Sequence, residues 1–211
     1  GFCLVGSEMC IRDRVNSLFP DCKSYLNVYE HAGLLRRRST LAHCLHLTET
    51  DWKILRDKEC SVAFCPSSNL FLGSGLFDLP RAQAVDVNVG IGTDVGAGTS
   101  LSILQTISDA YKTQRLAGSD LSPFSALYMA TLGGAISLDC EADIGNFKIG
   151  KEADFIVLDP ESTPIMRYRK QHCESLHEML FGIALLGDDR AVSATYANGQ
   201  CVHRRDSDEK V

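Results

Sequence analysis

Apolar positions fall into two textures along the 211 residues. Up to about Gly145, short apolar runs alternate with stretches in which apolar residues recur at helical spacing. STLAHC (Ser39–Cys44), SVAFC (Ser61–Cys65) and VNVGIGTD, ending at Asp94, read as strands. They are apolar throughout rather than alternating, as strands covered on both faces are. Between them, TETDWKILRDKEC opens with Thr48 as a helix N-cap, has acidic residues in its first turn, and carries Trp52 and Leu55 on an apolar face. Thr99 to Leu116 reads as a helix with Leu101, Leu104, Ile107 and Ala110 on one side, and Leu121 to Leu138 as a helix pair begun by Ser122-Pro123. Upstream, SLFPDCKSYLNVYEHAGLL reads as the tail of a helix, a turn at Pro20 and a second short helix ending near Gly33. The glycine- and serine-containing stretch SSNLFLGSGLFDL after Pro66 reads as a long loop. Strands parted by helices predict an α/β fold with parallel strands.

After Gly145 the pattern shortens. IGNFKIGKEADFIVLDPES and VSATYANGQCVHRR read as short strands, with a hairpin turn at Asn198-Gly199 and one helix between them over residues 173–186. Residues 144–211 are therefore expected to form a separate small β module. In it, ADFIVLD should pair with the strand holding Ala194 and Tyr196, leaving an exposed apolar edge.

Composition narrows the possibilities. A hydrophobic content of 45% in a chain of this length supports a substantial core. The net charge of −6 with no basic stripe argues against nucleic acid as a partner. No apolar run approaches the roughly 20 residues of a membrane span. Nine cysteines without CxxC pairs argue against a disulfide framework or zinc ribbon and for reduced thiols in a cytoplasmic protein. The stretch LVGSEMCIRDR (residues 4–14) resembles the conceptual translation of a transposase-type sequencing adapter. Residues 1–14 are accordingly expected to be adapter-derived, to pack against nothing in particular, and to mark an open reading frame cut short upstream.

Two strand ends carry candidate chemistry. His43 ends STLAH, and Asp94 ends VNVGIGTD among four glycines. Burying an unpaired carboxylate costs several kcal/mol, so Asp94 calls for a metal, a cation or a proton donor. In a parallel barrel the carboxyl ends of the strands converge on the active site, and right-handed crossovers make sequential strands neighbours. The strands ending at His43, Cys65 and Asp94 should thus lie parallel and in that order, with His43 and Asp94 sharing a pocket. His46 and Cys44 read as structural and turned away. Taken singly, His43 could be a hydrogen-bonded core histidine, and Asp94 a helix cap or Asx-turn residue. GIGTDVG has the spacing GxGxxxG rather than GxGxxG, and its aspartate would repel a pyrophosphate, so a dinucleotide loop is disfavoured.

The runs LAHCLHLTETDW, VAFCPSSNLFLGSGLFDL and VGIGTDVGAGTSLSILQTISDAYK closely resemble the guanine deaminases of the amidohydrolase superfamily. FSALYMATLGGAISLD, IGNFKIGKEADFIVLDP and LGDDRAVSATYANGQ extend the likeness, which runs from Val15 onward. The resemblance implies the C-terminal part of a (β/α)8 TIM-type metal-dependent hydrolase barrel over residues 15–143, with part of a β-sandwich over 144–211. It implies one divalent metal, usually zinc, a cytoplasmic homodimer as the full-length parent, and a purine substrate, guanine, hydrolysed to xanthine and ammonia. By that likeness Asp94 binds the metal and takes a proton from the attacking water, and His43 hydrogen-bonds the water or the intermediate. The HxH pair, the later histidine and glutamate, and a purine-binding arginine of that family lie upstream and have no counterpart here. Phe64 stands where many relatives have a histidine (HCP), and reads as apolar packing; the stretch Ser67 to Phe77 is expected to frame the purine. On this reading the fragment is inactive alone. Two alternatives remain: a related deaminase or chlorohydrolase acting on another heterocycle, or a non-catalytic truncated fragment.

Overall fold

The computed structural model describes residues 12–205. The expectation for residues 1–14 therefore falls, except at 12–14, outside the described residues. Residues 12–18 are helical (α1) and mostly exposed, and Tyr25–His31 forms α2, capped by the Ser24 hydroxyl.

Three short strands, β1 (Thr40–Ala42), β2 (Ser61–Phe64) and β3 (Val89–Ile91), form one sheet in the order β1-β2-β3. Both pairings are parallel, with Leu41 opposite Val62 and Ala63 opposite Gly90. The order and direction are those expected from the sequence. Each strand leads into a helix: α3 (Glu49–Asp57), α4 (Pro66–Leu72) followed by α5 (Leu79–Ala84), and α6 (Ile103–Leu116). Helices α7 (Pro123–Ala130) and α8 (Leu132–Ser137) complete this layer, and α8 packs closely on β3. That approach needs a glycine, because a Cβ on Gly90 would press against Ser137 Oγ and the Gly134 backbone at 3.0–3.2 Å.

Local signals explain most boundaries. Thr48 and Asp51 form a reciprocal capping box that starts α3, and Trp52 and Leu55 on that helix are buried as expected. Trp52 meets Phe77 at 6.3 Å between ring centroids, and Phe64 meets Phe77 at 5.0 Å. Phe64 is fully buried in this aromatic cluster, which is the packing role read from the sequence.

Three readings are corrected. Residues 66–72 are a helix rather than loop: Pro66 occupies the first turn and Gly73, at φ 65°, ends it. Helix α6 begins after an N-cap at Ser102, so Leu101 lies outside it and is exposed. The C-terminal part holds two helices, not one: α9 (Pro164–Gln171), started by Thr163 and Pro164, precedes α10 (Leu176–Leu186). Helix α10 returns to pack on α6, with Tyr111 and Phe181 edge-on at 5.1 Å.

The second sheet contains β4 (Phe155–Leu158), β5 (Val192–Ala197) and β6 (Gln200–Arg204), all antiparallel. The expected pairing is present, with Phe155 opposite Tyr196, their rings stacked at 4.5 Å, and Val157 opposite Ala194. Asn198 and Gly199 both adopt positive φ at the β5–β6 turn, as a two-residue hairpin demands. Ile156, Val157 and Val202 remain exposed on this sheet.

Candidate active site

The parallel strands end on one side, and the chain turns sharply at two of those ends. Beyond β1, His43 (φ 68°) and Cys44 (φ 52°) both enter the left-handed region; beyond β3, Asp94 does so at φ 48°. Non-glycine residues in this region are uncommon, and they concentrate at functional sites. The His43 backbone N–H still donates to the Ala63 carbonyl at 3.1 Å, so the residue is pinned to the end of β2 while its side chain is redirected.

Strands β1 and β3 are separated by β2, hence by about 10 Å at ordinary strand spacing. Even so, His43 Nε2 and Asp94 Oδ2 lie 3.6 Å apart, because both side chains reach across the end of β2. The sequence-predicted pair is thus brought together. The His43 side chain is 28% exposed and that of Asp94 is 38% exposed. Asp94 is therefore not buried, and desolvation does not account for its place.

The loop behind Asp94 is held by its own backbone. The Asp94 carbonyl accepts from the N–H groups of Ala97 (3.2 Å) and Gly98 (2.5 Å). Gly98 is buried, and a Cβ there would overlap the Thr93 carbonyl oxygen. Gly98→Ala is accordingly expected to destabilise the chain by about 2 kcal/mol through overpacking. Thermal melting of the 211-residue chain should show Tm lower by roughly 4–8 °C for a protein of this size, and an unchanged Tm would refute the close-packed loop.

Around the pair sit groups of different character. Burial, with the Asp94 carboxylate nearby, pushes the Cys65 thiol up to about 11, and burial pushes Cys44 up to about 12. Neither thiol is a nucleophile near neutral pH. Ser67 Oγ donates to Asp109 Oδ2 at 2.7 Å, fastening the start of α4 to α6. On the far side of His43, its Nδ1 lies 2.7 Å from Asn69 Oδ1.

A groove of about 740 Å³ runs along the open edge of β1 beside α2, and both His43 and His46 line it while Asp94 does not. His46 thus shares this groove with His43, but the groove is not the pocket that His43 and Asp94 were expected to share. Asn69 was not singled out from the sequence as a partner of His43. Its one sequence signal is its place, a single helical turn past the end of β2 in the segment begun by Pro66.

Among the described residues, no three His, Cys, Asp or Glu side chains come together so as to hold a metal ion. No helix among them is long and apolar enough to cross a membrane.

The sequence profile of the Amidohydrolase family matches residues 12–202. The chain belongs to the amidohydrolase family. Among its amidohydrolase relatives is the guanine deaminase of Escherichia coli K12, 49% identical over 191 residues, which span 90% of this chain and 44% of the relative. The solved E. coli guanine deaminase superposes with a TM-score of 0.92 at 46% identity, covering 97% of this chain and 47% of that one. Guanine deaminase from C. acetobutylicum, solved with guanine bound in its active site, gives a TM-score of 0.77 at 28% identity, with 90% and 45% coverage. An adenosine deaminase from Xanthomonas campestris, solved with bound zinc, gives 0.77 at 26% identity, with 90% and 42% coverage. The chain thus spans about half the length of the relatives it matches. Its parallel sheet and helices are part of the α/β barrel of the amidohydrolases, as expected.

Proposed function

We propose that this chain is part of a guanine deaminase, which hydrolyses guanine to xanthine and ammonia, with Asp94 and His43 as its contribution to catalysis. The observation that carries the reading is the meeting of His43 and Asp94 across the end of β2. Similarity to guanine deaminases, one of them solved with guanine bound, supplies the substrate class.

A carboxylate and an imidazole are suitable donor types for zinc. A catalytic zinc site takes about three protein ligands and leaves one position open, and the described residues do not assemble three such donors. They fit such a site only in part: Asp94 would supply one ligand, and the others must come from sequence beyond these residues. When bound, the ion makes a water acidic enough to lose a proton near neutral pH. The Asp94 carboxylate accepts a proton from the attacking water as its oxygen bonds to C2 of guanine. That proton passes to the exocyclic amine, the C2–N bond breaks with its electron pair leaving on nitrogen as ammonia, and the proton remaining on the added oxygen moves to N3 as the C2=O bond of xanthine forms. His43, held at the strand end, hydrogen-bonds the attacking water.

The same reading takes residues 15–143 as a partial barrel and 144–211 as part of a sandwich, and makes the complete enzyme a cytoplasmic homodimer. The antiparallel sheet β4–β6 supports the second division, and the seven free cysteines among the described residues support the reducing compartment. The test is xanthine formation from guanine by a polypeptide extended to the length of the relatives, assayed beside adenine, cytosine and a chlorotriazine. Guanine is expected to be the preferred substrate. Preference for another ring would replace the substrate class while leaving the family intact.

A further inference from the structure

We propose that Asn69 is a positioning residue that holds the neutral His43 ring with its proton on Nδ1, leaving Nε2 bare towards Asp94. The ring has two nitrogens, and in the neutral form one donates and the other accepts. Nδ1 faces the Asn69 Oδ1 atom at 2.7 Å, and an amide oxygen can only accept. With the amide oxygen facing the ring, a neutral His43 carries its hydrogen on Nδ1, and Nε2 is left as a lone pair.

The other end of the ring agrees. Nε2 and Asp94 Oδ2 stand 3.6 Å apart, too far for a direct hydrogen bond. Two acceptors facing each other at that separation leave room for one shared donor. A water molecule has two O–H groups to offer, so the pair can hold the attacking water by both hydrogens. That orients an oxygen lone pair away from both residues. The catalytic consequence rests on the function proposed above, whereas the tautomer does not.

Asn69 is built for this task and for no other visible one. It is 2% exposed, and its Nδ2 is buried without a hydrogen-bond partner among the described residues. The bond to His43 is thus the one its side chain makes among those residues, although burying a half-satisfied amide is unfavourable. Its backbone is fixed at both ends, the N–H donating to the Cys65 carbonyl at 3.0 Å and the carbonyl accepting from Ser74 at 2.9 Å. An oxygen carried on that support cannot follow the ring if the ring turns.

The test is nitrogen-15 NMR of the histidine rings in the 211-residue chain, with His43 assigned among the six histidines by the signal lost in His43→Gln. The neutral His43 ring is expected to carry its proton on Nδ1. Asn69→Asp, which keeps an acceptor at the same place, should preserve that state, and Asn69→Leu should lose it. A proton on Nε2, or an average over both tautomers, in the unsubstituted chain overturns the proposal, as does an unchanged tautomer in Asn69→Leu. In the extended enzyme, Asn69→Leu should lower kcat by about 10- to 100-fold, the usual effect of removing such a support, with KM little changed and recovery in Asn69→Asp. A KM-dominated loss there would also overturn it. Absence of guanine turnover in every variant would count against the function, while the tautomer would still be decided by the NMR signals.

Discussion

Asp94→Asn, introduced into a polypeptide extended to the length of the relatives, is expected to lower guanine turnover by about 10²- to 10⁴-fold, the usual share of general acid–base catalysis. The substitution isolates chemistry from structure. Asparagine has the same shape and tolerates the left-handed backbone at least as well as aspartate, so φ 48° poses no obstacle. The loop is closed by the Asp94 main-chain carbonyl, which the substitution leaves in place. Stability should therefore be nearly unchanged while basicity and charge at the site disappear. Zinc affinity should fall as well, because a neutral amide oxygen is a poorer ligand than a carboxylate. Steady-state xanthine formation, a metal titration and a thermal melt read these three quantities separately. An active variant would leave Asp94 as a turn residue that happens to lie near a histidine.

What the sequence disclosed, and what it hid, divides along the range of the interactions. The N-cap at Thr48, the Asn198-Gly199 hairpin and the Ser122-Pro123 helix start are set by neighbours in the chain, and all three are present in the fold. The strand order followed from a rule about connections rather than from any one residue. Helix α4 was hidden because glycine and serine resemble loop composition, although its proline start and glycine stop were both in view. For His43 and Asp94, the strand-end argument found the residues. The expected burial of Asp94 was wrong, since burial depends on atoms far away in sequence. The hydrogen bond from His43 to Asn69 joins residues 26 positions apart, and only the parallel packing of β1 on β2 makes them neighbours. His46 lines the groove along β1 past a backbone reversal at residues 43 and 44 that no alternation pattern can show.

The 211-residue chain alone is expected to form no xanthine from guanine above the uncatalysed background, even with zinc supplied, whereas the extended polypeptide does. The reason is a shortage of donors and of walls. No three metal-binding side chains converge among the described residues, so a zinc ion has no complete seat, and without it the attacking water keeps a pKa near its bulk value of about 15.7. Among the described residues the walls are incomplete too. Among the described residues, the parallel sheet ends at β1 on one side and β3 on the other, and each edge is flanked by a groove, of about 740 Å³ beside β1 and about 670 Å³ beside Val87 to Val89. A purine bound at such an edge would meet solvent where a closed barrel would exclude it, and water screens the electrostatic stabilisation that a tetrahedral centre requires. Open edges also invite pairing between copies, so light scattering of the isolated chain should rise with concentration. Dialysis against trace zinc followed by metal analysis should find less than one equivalent retained by the chain, and about one per extended polypeptide. Turnover by the 211 residues alone, or a stoichiometric zinc held by them, would mean that His43 and Asp94 recruit donors that the distances between described side chains do not provide.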